Sequence, residues 1–264
     1  MTASVDQLDL DALLDAAVAA TRAGADIVRD AFGAASGAIE KAPGDWVSDT
    51  DTASERAVRS ALLDAVPDIP VHGEEEGGAR AEIGWLVDPL DGTANFLHRL
   101  PVIGVSVALV ADGEPVVGAV AAPLLGELYT ARAGGGAHRN GAPIRVSDRP
   151  VATGIAATGF PFRKKAERLD EYFPVFERAL REFEDLRRAG AASLDLAWTA
   201  SGTFDGYFEQ ALGPWDVAAG ALLVREAGGV VTDWSGDDTA WLQSGDVVAA
   251  PPSVHERLLQ LIRG

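Results

Sequence analysis

The sequence predicts a mixed α and β protein built in layers, with an α+β first half and an α/β second half. Residues 8–32 and 50–65 carry apolar side chains at helical spacing, and short apolar runs typical of strands follow them. After about residue 150, helical and strand patterns alternate, which is typical of α/β folds. We therefore divide the chain into residues 1–148 and 149–264, which are expected to form one compact unit.

Two helices and then a series of strands are predicted in the first half. The first helix carries apolar residues at Leu10, Leu13, Leu14, Ala17, Val18, Ile27 and Val28. The second presents Ala57, Val58, Ala61 and Leu62 on one face, and Pro67 lies just beyond its end. Strands are predicted at "IPVHG", "GWLVD", "IGVSVALV", "PVVGAVAAP" and "ELYTARA", with a hairpin turn at "ADGEP", residues 111–115.

Helices and strands alternate in the second half. Strands are predicted at "TGIAATGF", "DLRRAG", "DGYFEQAL", "VVTDW" and "DVVAA". A helix is predicted over residues 166–184, where Pro174 should kink it or break it in two. Further helices are predicted at "ASLDLAWTASG", from Pro214 to Gly228, and from about Ser253.

Composition excludes several kinds of protein. The chain has 264 residues, of which 47% are hydrophobic, so it can bury a sizeable core. It has no cysteine, which excludes disulfides, thiolate zinc sites and cysteine nucleophiles. The net charge of −18 is opposite in sign to that of a typical nucleic-acid binder, so no general nucleic-acid binding is expected.

The N-terminus lacks the pattern of a signal peptide, and no run approaches the roughly 18 apolar residues that span a bilayer. We expect a cytoplasmic protein without membrane contact.

Carboxylates collect at the ends of predicted elements. In "WLVDPLDGTANF", residues 85–96, an apolar run leads directly into Asp88 and Asp91. The other acidic residues at element ends are Glu74, Glu75 and Glu76 in "VHGEEEGG", Asp216 in "GPWDVAAG", and Asp49 and Asp51 in "WVSDTDTAS". Neighbouring carboxylates repel unless cations lie between them, and oxygen ligands from several segments suit Mg²⁺. Two such ions about 3.5–4 Å apart can activate a water and hold the leaving oxygen of a phosphate ester.

Each acidic motif also has a structural explanation. Asp-Pro-x-Asp-Gly is a common turn, "GEEEGG" can be a solvated loop, and the helix dipole favours Asp216 in a first turn. Their combination favours a site, in which Gly92 lets the backbone approach an anion and Thr93 orients a water. "DTDTA" at 49–53 resembles the box of haloacid dehalogenase-type phosphatases, but Ala53 stands at its fifth position and no long apolar strand precedes it. The scattered histidines, His72, His98, His138 and His255, are interpreted as structural.

These motifs resemble those of the inositol monophosphatase family, which comprises magnesium-dependent, lithium-sensitive phosphomonoesterases. The matching segments are "GEE" at 73–75, "WLVDPLDGTANFLHRLP" at 85–101 and "PWDVAAGALLVREAGG" at 214–229, with weaker matches at "GFPF" and "RRAGAASLDLA". The chain looks most similar to bacterial inositol-1-monophosphatases. The resemblance implies an alternating α-β-α-β-α sandwich, a homodimer, and hydrolysis of inositol monophosphate and related polyol phosphates by a metal-activated water.

The resemblance also implies a role for individual residues. The first Mg²⁺ would be bound by Glu74, Asp88 and the Leu90 carbonyl. Asp88, Asp91 and Asp216 would bind the second ion, and Glu74 would help to bind a weaker third. Thr93 and Asp51, with Glu74, would position and deprotonate the attacking water.

The substrate contacts implied by the resemblance come from four segments. Asp91, Gly92 and Thr93 would lie at the phosphate, and the polyol side would be formed by Gly190, Ala191, the Ala192 backbone, Glu209 and Asp216. Lys41 aligns with a mobile lysine loop near the site. One departure is that "GAAS" replaces the usual glycine–hydroxyl–alanine–alanine run, so that Ala191 lacks a hydroxyl.

Several alternatives stay open at this point. Relatives of the same superfamily hydrolyse histidinol phosphate, fructose 1,6-bisphosphate or adenosine 3′,5′-bisphosphate. "GTANF" favours the inositol type over the nucleotide type, in which lysine, glutamate and phenylalanine usually follow the threonine. Some bacterial relatives act instead as regulatory proteins in RNA polymerase or ribosome assembly complexes. The complete set of metal ligands and the charge of −18 argue against a role in binding alone.

Overall fold

A computed structural model describes residues 8–34, 37–42 and 45–264 of the chain. Residues 1–7, which are part of the segment on which the prediction of no signal peptide depends, lie outside these ranges. No helix within the described ranges is both long enough and apolar enough to cross a membrane.

A seven-stranded sheet forms the first half, with strands in the order β3-β4-β5-β6-β7-β8-β9. The strands are β3 (Val71–Gly73), β4 (Ile83–Asp91), β5 (Gly104–Ala111), β6 (Glu114–Ala122), β7 (Glu127–Arg132), β8 (Ala137–Arg139) and β9 (Ala142–Ile144). Helices α1 (Leu10–Ala31) and α2 (Asp49–Ala65) pack on one face, where Val58, Leu62 and Val107 lie in a shared core. Only β3 pairs parallel to its neighbour, β4.

A five-stranded sheet forms the second half, in the order β11-β10-β12-β14-β13. Its strands are β10 (Ile155–Thr158), β11 (Asp185–Arg187), β12 (Gly206–Glu209), β13 (Val230–Thr232) and β14 (Val247–Ala250). Helices α5 (Ala192–Ala200) and α6 (Pro214–Glu226) lie between the two sheets and share one core with both of them. Helices α4 (Lys165–Glu182) and α8 (Pro252–Arg263) cover the outer face.

The resulting order of layers is helices, sheet, helices, sheet, helices, which confirms the α-β-α-β-α sandwich. Because α5 and α6 bury side chains against both sheets, the layers form a continuous stack. The division into residues 1–148 and 149–264 stays a prediction.

Helix α4 excludes one of the two outcomes expected at Pro174, because it runs through this residue without being broken in two, and a kink there stays a prediction. An internal proline costs a helix about 3 kcal/mol or more. Tyr172 and Val175, on the two sides of Pro174, are both buried in the outer core with Phe208. Packing on both sides therefore offsets the missing backbone hydrogen bond.

Six short strands and α-helices are not predicted by the sequence patterns. They are the hairpin of β1 (Ile39–Ala42) and β2 (Asp45–Val47), the strands β8 and β9, and the helices α3 (Thr93–Leu97) and α7 (Trp241–Ser244). Each has five residues or fewer, too few to show a periodicity. Two of them, β2 and α3, border the site described next.

Candidate metal centre and active-site cavity

A bulge in β4 brings Asp88 and Asp91 to the same side of the sheet. Side chains alternate along a regular strand, so residues three apart face opposite sides. Here Asp88 pairs with Ser106 and Asp91 with Gly104, which leaves one extra residue on β4. Such a bulge redirects the following side chain, and Pro89 suits it because proline has no N–H to contribute to the ladder.

Three carboxylates from different elements converge at this end of the sheet. One oxygen each of Glu74, Asp88 and Asp216 lies within 4.8 Å of the others. Asp88 is 1% exposed, and burial, with the charges of Glu74, Asp91 and Asp216, raises its pKa well above the usual range. Burial and the charge of Asp216 raise the pKa of Asp91 to about 7. A cation among these groups would favour their charged forms, so the donor set fits a hard divalent ion.

The position of Glu74 follows from the pairing of β3 with β4. The Glu74 N–H donates to the Val87 carbonyl at 3.0 Å, one residue before Asp88. The next two residues, Glu75 and Glu76, donate their N–H groups to the carboxylate of Glu55 on α2, at 2.8 and 3.1 Å. These hydrogen bonds hold the "GEEE" segment in a fixed turn, so it is not a freely solvated loop.

Asp216 lies in the first turn of α6, where it caps the helix and also belongs to the acidic cluster. Its carboxylate accepts a hydrogen bond from the Gly213 N–H at 2.6 Å, which caps the helix. The residue is 4% exposed and also faces the acidic cluster. Asp216 can therefore cap the helix and also occupy the predicted position of a metal ligand.

Asp51 and Thr93 form a pair beside the metal centre. The Thr93 hydroxyl lies 2.9 Å from Asp51 Oδ1 and 3.1 Å from the Leu90 carbonyl, so it can donate its single proton to either oxygen. Asp51 also completes a capping box with Ser48 at the start of α2. Burial raises the pKa of Asp51, and the hydrogen bonds from Ser48 and Thr93 partly offset this increase.

Ser193 is a site residue that the sequence analysis missed. Its N–H and its hydroxyl both donate to Asp91 Oδ2, at 2.7 and 2.5 Å. The segment "GAAS" lacks the usual hydroxyl at Ala191, which is itself buried and begins α5 as its N-cap. The sequence feature that indicates Ser193 is its hydroxyl, two positions after the one missing at Ala191. Its side chain contacts Asp91, a predicted metal ligand.

The backbone around Gly92 is held against the start of α5. Gly92 has a φ of 90°, in the region that favours glycine, and precedes α3. A Cβ at this position would lie 3.0 Å from the Val102 carbonyl and 3.2 Å from the Gly190 carbonyl. The Asn95 amide donates to the carbonyls of Val102 and Ala189, at 2.8 and 2.9 Å, so it ties these segments together.

Glu209 lies at the end of β12 and is 8% exposed. The Tyr207 hydroxyl donates to its Oε2 at 2.8 Å, and its carboxylate lies so close to Gly159 that a Cβ there would be 1.9 Å away. Burial raises the pKa of Glu209 to about 7, against the hydrogen bond from Tyr207 and the charge of Arg188. The buried carboxyl group therefore holds its proton more tightly than an exposed glutamate does.

A cavity of about 320 Å³ connects these groups. The predicted site residues that line it are Glu74, Asp88, Leu90, Asp91, Gly92, Thr93, Gly190, Ala192, Glu209 and Asp216. Asp51 and Ala191 lie behind the wall and contact it through Thr93 and Gly92.

The remaining wall was not predicted from the sequence. Trp46, Phe160, Phe162, Arg188 and Gln210 also line the cavity. The Arg188 guanidinium carbon lies 4.8 Å from the centre of the Phe162 ring, a cation–π distance. The cavity wall therefore combines acidic groups with aromatic side chains and the positive charge of Arg188.

Lys41 and the histidines lie at or outside the edge of this cavity. The Lys41 ammonium is 2.9 Å from Glu75 Oε1 and 3.6 Å from Glu74 Oε1, so it approaches the acidic turn as predicted. The ring of His72 packs 5.9 Å from that of Trp215, and buried His255 contacts the Thr232 hydroxyl at 2.9 Å. Among the cavity-lining residues of the described chain there is no histidine.

The sequence and the fold match those of a known group of proteins. Residues 9–264 match the family model described as the inositol monophosphatase family, and the chain belongs to that family. The family is metal-dependent, and the cluster of Glu74, Asp88 and Asp216 could hold a metal ion.

Relatives within the family carry two kinds of name. The putative Nus factor SuhB of Neisseria meningitidis serogroup B is 46% identical over 226 residues, which cover 84% of this chain and 86% of that protein. The crystal structure of the extragenic suppressor protein suhB from Bartonella henselae has a TM-score of 0.88 and 35% identity, and the match covers 96% of this chain and 98% of that one. The inositol monophosphatase from Anabaena has a TM-score of 0.86 and 32% identity, with 97% of each chain covered.

Proposed function

We propose that the chain hydrolyses inositol monophosphate and related polyol phosphates in a Mg²⁺-dependent reaction. The observation that carries this proposal is the convergence of Glu74, Asp88 and Asp216 within 4.8 Å, in a cavity that Thr93 also lines. A set of oxygen donors from three elements suits a hard cation. A phosphate ester suits this site, because paired cations can activate a water and stabilise the leaving oxygen while a positioned hydroxyl orients the water.

The metal ligands are proposed as the sequence analysis assigns them. One ion would be held by Glu74, Asp88 and the Leu90 carbonyl, a second by Asp88, Asp91 and Asp216, and a weaker third with help from Glu74. Bound Mg²⁺ would supply an activated water and neutralise the charge on the leaving oxygen. Ser193 would keep Asp91 oriented, since both of its hydrogen bonds hold Asp91 Oδ2.

Thr93 and Asp51 are proposed to orient the attacking water and receive its proton. When the Thr93 hydroxyl donates to Asp51 at 2.9 Å, its lone pairs can accept a hydrogen bond from the water. Glu74 lies on the same wall and would take part in this step. The buried Asp51 carboxyl has a raised pKa, which suits a group that accepts a proton.

The phosphate and the polyol would occupy adjoining parts of the cavity, with Asp216 at the boundary between them. Asp91, Gly92 and Thr93 would lie beside the phosphate, where the cations compensate the charges. Gly190, Ala191 and the Ala192 backbone would form the polyol side together with Glu209 and Asp216. The carboxylate of Glu209 can accept hydrogen bonds from ring hydroxyls when it is charged.

A second candidate function is regulatory. Relatives at 46% identity are named as putative Nus factors, which favours a role in a transcription complex, with RNA polymerase or ribosome assembly factors as partners. The two functions are separable, because a regulatory role would survive loss of the metal ligands. Histidinol phosphate, fructose 1,6-bisphosphate and adenosine 3′,5′-bisphosphate stay alternative substrates. The homodimer and the cytoplasmic location stay predictions.

The deciding experiment is phosphate release from a substrate panel. Inositol 1-phosphate, histidinol phosphate, fructose 1,6-bisphosphate and adenosine 3′,5′-bisphosphate are each assayed with Mg²⁺ and with excess chelator. We expect the highest kcat/KM for inositol 1-phosphate, no activity in chelator, recovery with added Mg²⁺, and inhibition by lithium. Undiminished turnover in chelator would remove the metal mechanism. Inactivity on the whole panel would leave the regulatory function as the stronger candidate.

Glu209→Gln should weaken recognition of the polyol more than the chemical step. A hydrogen bond to a charged group contributes about 1.5–3 kcal/mol, so KM for inositol 1-phosphate should rise roughly tenfold or more. Hydrolysis of p-nitrophenyl phosphate, which has no polyol, should change little. Glu184→Gln, at an exposed position, is the matched control. Equal losses on both esters would argue that Glu209 acts in metal binding or folding instead.

A further inference from the structure

One face of α2 contacts three segments that carry the candidate site. Asp51 accepts from Thr93 at 2.9 Å, and the Ser54 hydroxyl donates to the Pro89 carbonyl at 2.7 Å. Glu55 accepts from the N–H groups of the turn that follows Glu74. Residues 51, 54 and 55 are three and four positions apart, so they lie on the same side of the helix. A single rigid element therefore contacts every segment of the first half that supplies a proposed metal ligand.

Glu55 is held in one geometry by its own contacts. It is fully buried, and its carboxylate accepts from the guanidinium of Arg59 at 2.8 Å as well as from the two backbone N–H groups. Arg59 also donates to the carbonyls of Val71 and Gly77, at 2.9 and 2.8 Å, on the two sides of the acidic turn. A buried carboxylate is tolerated when it is paired and hydrogen-bonded, as that of Glu55 is. The pair thus connects α2 to both ends of the turn.

The acidic turn fits closely onto this pair. A Cβ on Gly73 would lie 2.1 Å from Glu55 Oε1, so the carboxylate lies directly against the residue before Glu74. The Glu74 N–H is bound to the Val87 carbonyl at 3.0 Å, and the next two N–H groups are bound to Glu55. The backbone of Glu74 is consequently fixed on both sides.

Ser54 acts on the other group of ligands. Its hydroxyl is fully buried and holds the carbonyl of Pro89, the residue between Asp88 and the peptide of Leu90. The Leu90 N–H donates to Asp88 Oδ1 at 3.0 Å, so the orientation of this short segment and that of the Asp88 carboxylate are linked. Adjacent residues of α2 therefore hold the two sides of the proposed first metal position.

The acidic cluster needs such support because its members repel. Carboxylate oxygens of Glu74, Asp88 and Asp216 lie within 4.8 Å of one another, so their negative charges repel when no cation is bound. Without external contacts the Glu74 turn could relax away from β4. Preorganised ligands bind a cation more tightly because the cost of bringing them together is met during folding.

We propose that Ser54 and Glu55 are positioning residues of the metal centre, which fix the spacing between Glu74 and the Asp88–Leu90 segment and thereby set the affinity for Mg²⁺. Neither side chain is a ligand in this arrangement. Ser54 acts through the Pro89 carbonyl, and Glu55 acts through the backbone of Glu75 and Glu76. The inference rests on the proposed function for the identity of the ion and for the reaction used as one of its readouts.

The test compares Glu55→Gln and Ser54→Ala with two exposed controls on the same helix, Asp64→Asn and Ser60→Ala. Mn²⁺ binding is measured by electron paramagnetic resonance, Mg²⁺ activation by phosphate release, and stability by thermal melting. Loss of partners outside the ligand shell typically weakens metal affinity by roughly 10- to 100-fold. We expect that range for Glu55→Gln and a smaller loss for Ser54→Ala, with kcat restored at saturating Mg²⁺. Both controls should stay within about twofold of the wild type.

Each outcome decides the inference. Lower melting temperatures with unchanged Mn²⁺ affinity would show a structural role alone and overturn the proposal, as would a loss of kcat that Mg²⁺ does not restore. If Glu55→Gln does not fold, Ser54→Ala decides. A wild type that binds Mn²⁺ but hydrolyses no ester would refute the proposed function, and the binding measurements would still decide the inference. A wild type that binds no Mn²⁺ would overturn both.

Discussion

Asp91→Asn should lower kcat for inositol 1-phosphate by about 10³-fold or more while leaving the far-UV circular dichroism spectrum unchanged. The substitution keeps the shape of the side chain, so the hydrogen bonds from Ser193 can persist at the amide oxygen. It removes a negative charge from the proposed second Mg²⁺ position. Metal stabilisation of transition-state charge contributes several kcal/mol, and each 1.36 kcal/mol corresponds to a factor of ten in rate.

Asp148→Asn is the control for the Asp91 experiment. Asp148 is exposed, so the same chemical change there should leave kcat within about twofold of the wild type. Steady-state kinetics at saturating Mg²⁺ measure the effect, because a simple loss of affinity would be overcome by excess metal. Near-native turnover of Asp91→Asn would mean that Asp91 is not a ligand of a catalytic ion.

The part of the site that could be predicted from the sequence consists of residues that short motifs bring together. Asp88 and Asp91 stand at the end of an apolar strand, and the structure places them in the cavity with Glu74 and Asp216. A motif of this kind encodes its own geometry, because Pro89 permits the bulge that turns both carboxylates to one side. The layered fold was predictable for a related reason, since long helices and strands show their periodicity locally.

The missed residues act through contacts that are distant in the sequence. Ser193 bonds Asp91 across 102 positions, and Glu55 bonds the turn after Glu74 across 20 and 21 positions. Nothing in the segment around Glu55 distinguishes it from an ordinary helical residue, and Ser193 stands out only beside the missing hydroxyl at Ala191. Arg188 was missed for the same reason, because its contact with Phe162 depends on how β11 packs beside the loop after β10.

Helix capping and a role in the site are alternative explanations for an aspartate in the sequence, but the structure shows that one residue can combine both. Asp216 and Asp51 both cap helices, as ordinary residues of first turns do, and both lie at the candidate centre. A capping carboxylate is held by backbone N–H groups, so its position is fixed before any ligand binds. Capping thus preorganises a site residue, and a structural explanation for an aspartate does not argue against a catalytic one.

Thr93→Ala should lower kcat by roughly 10²- to 10⁴-fold, the range for loss of a partner in proton transfer. The Thr93 hydroxyl is the contact between Asp51 and the cavity, since Asp51 itself is 1% exposed and lies behind the wall. Without the hydroxyl, the carboxylate of Asp51 cannot reach the attacking water through Thr93. Metal affinity should change little, because no proposed ligand is removed. Mn²⁺ titration and steady-state kinetics separate the two effects.

Thr93→Ser is the variant that identifies the hydroxyl as the cause. Serine keeps the oxygen and loses only a methyl group, so its hydroxyl can still donate to Asp51 or to the Leu90 carbonyl. We expect most of the activity to return in this variant, with the melting temperature close to that of the wild type. If Thr93→Ala and Thr93→Ser are equally impaired, packing of the methyl group is responsible. If both retain wild-type kcat, proton transfer does not pass through this residue, and Asp51 is left with the capping role that it already has at the start of α2.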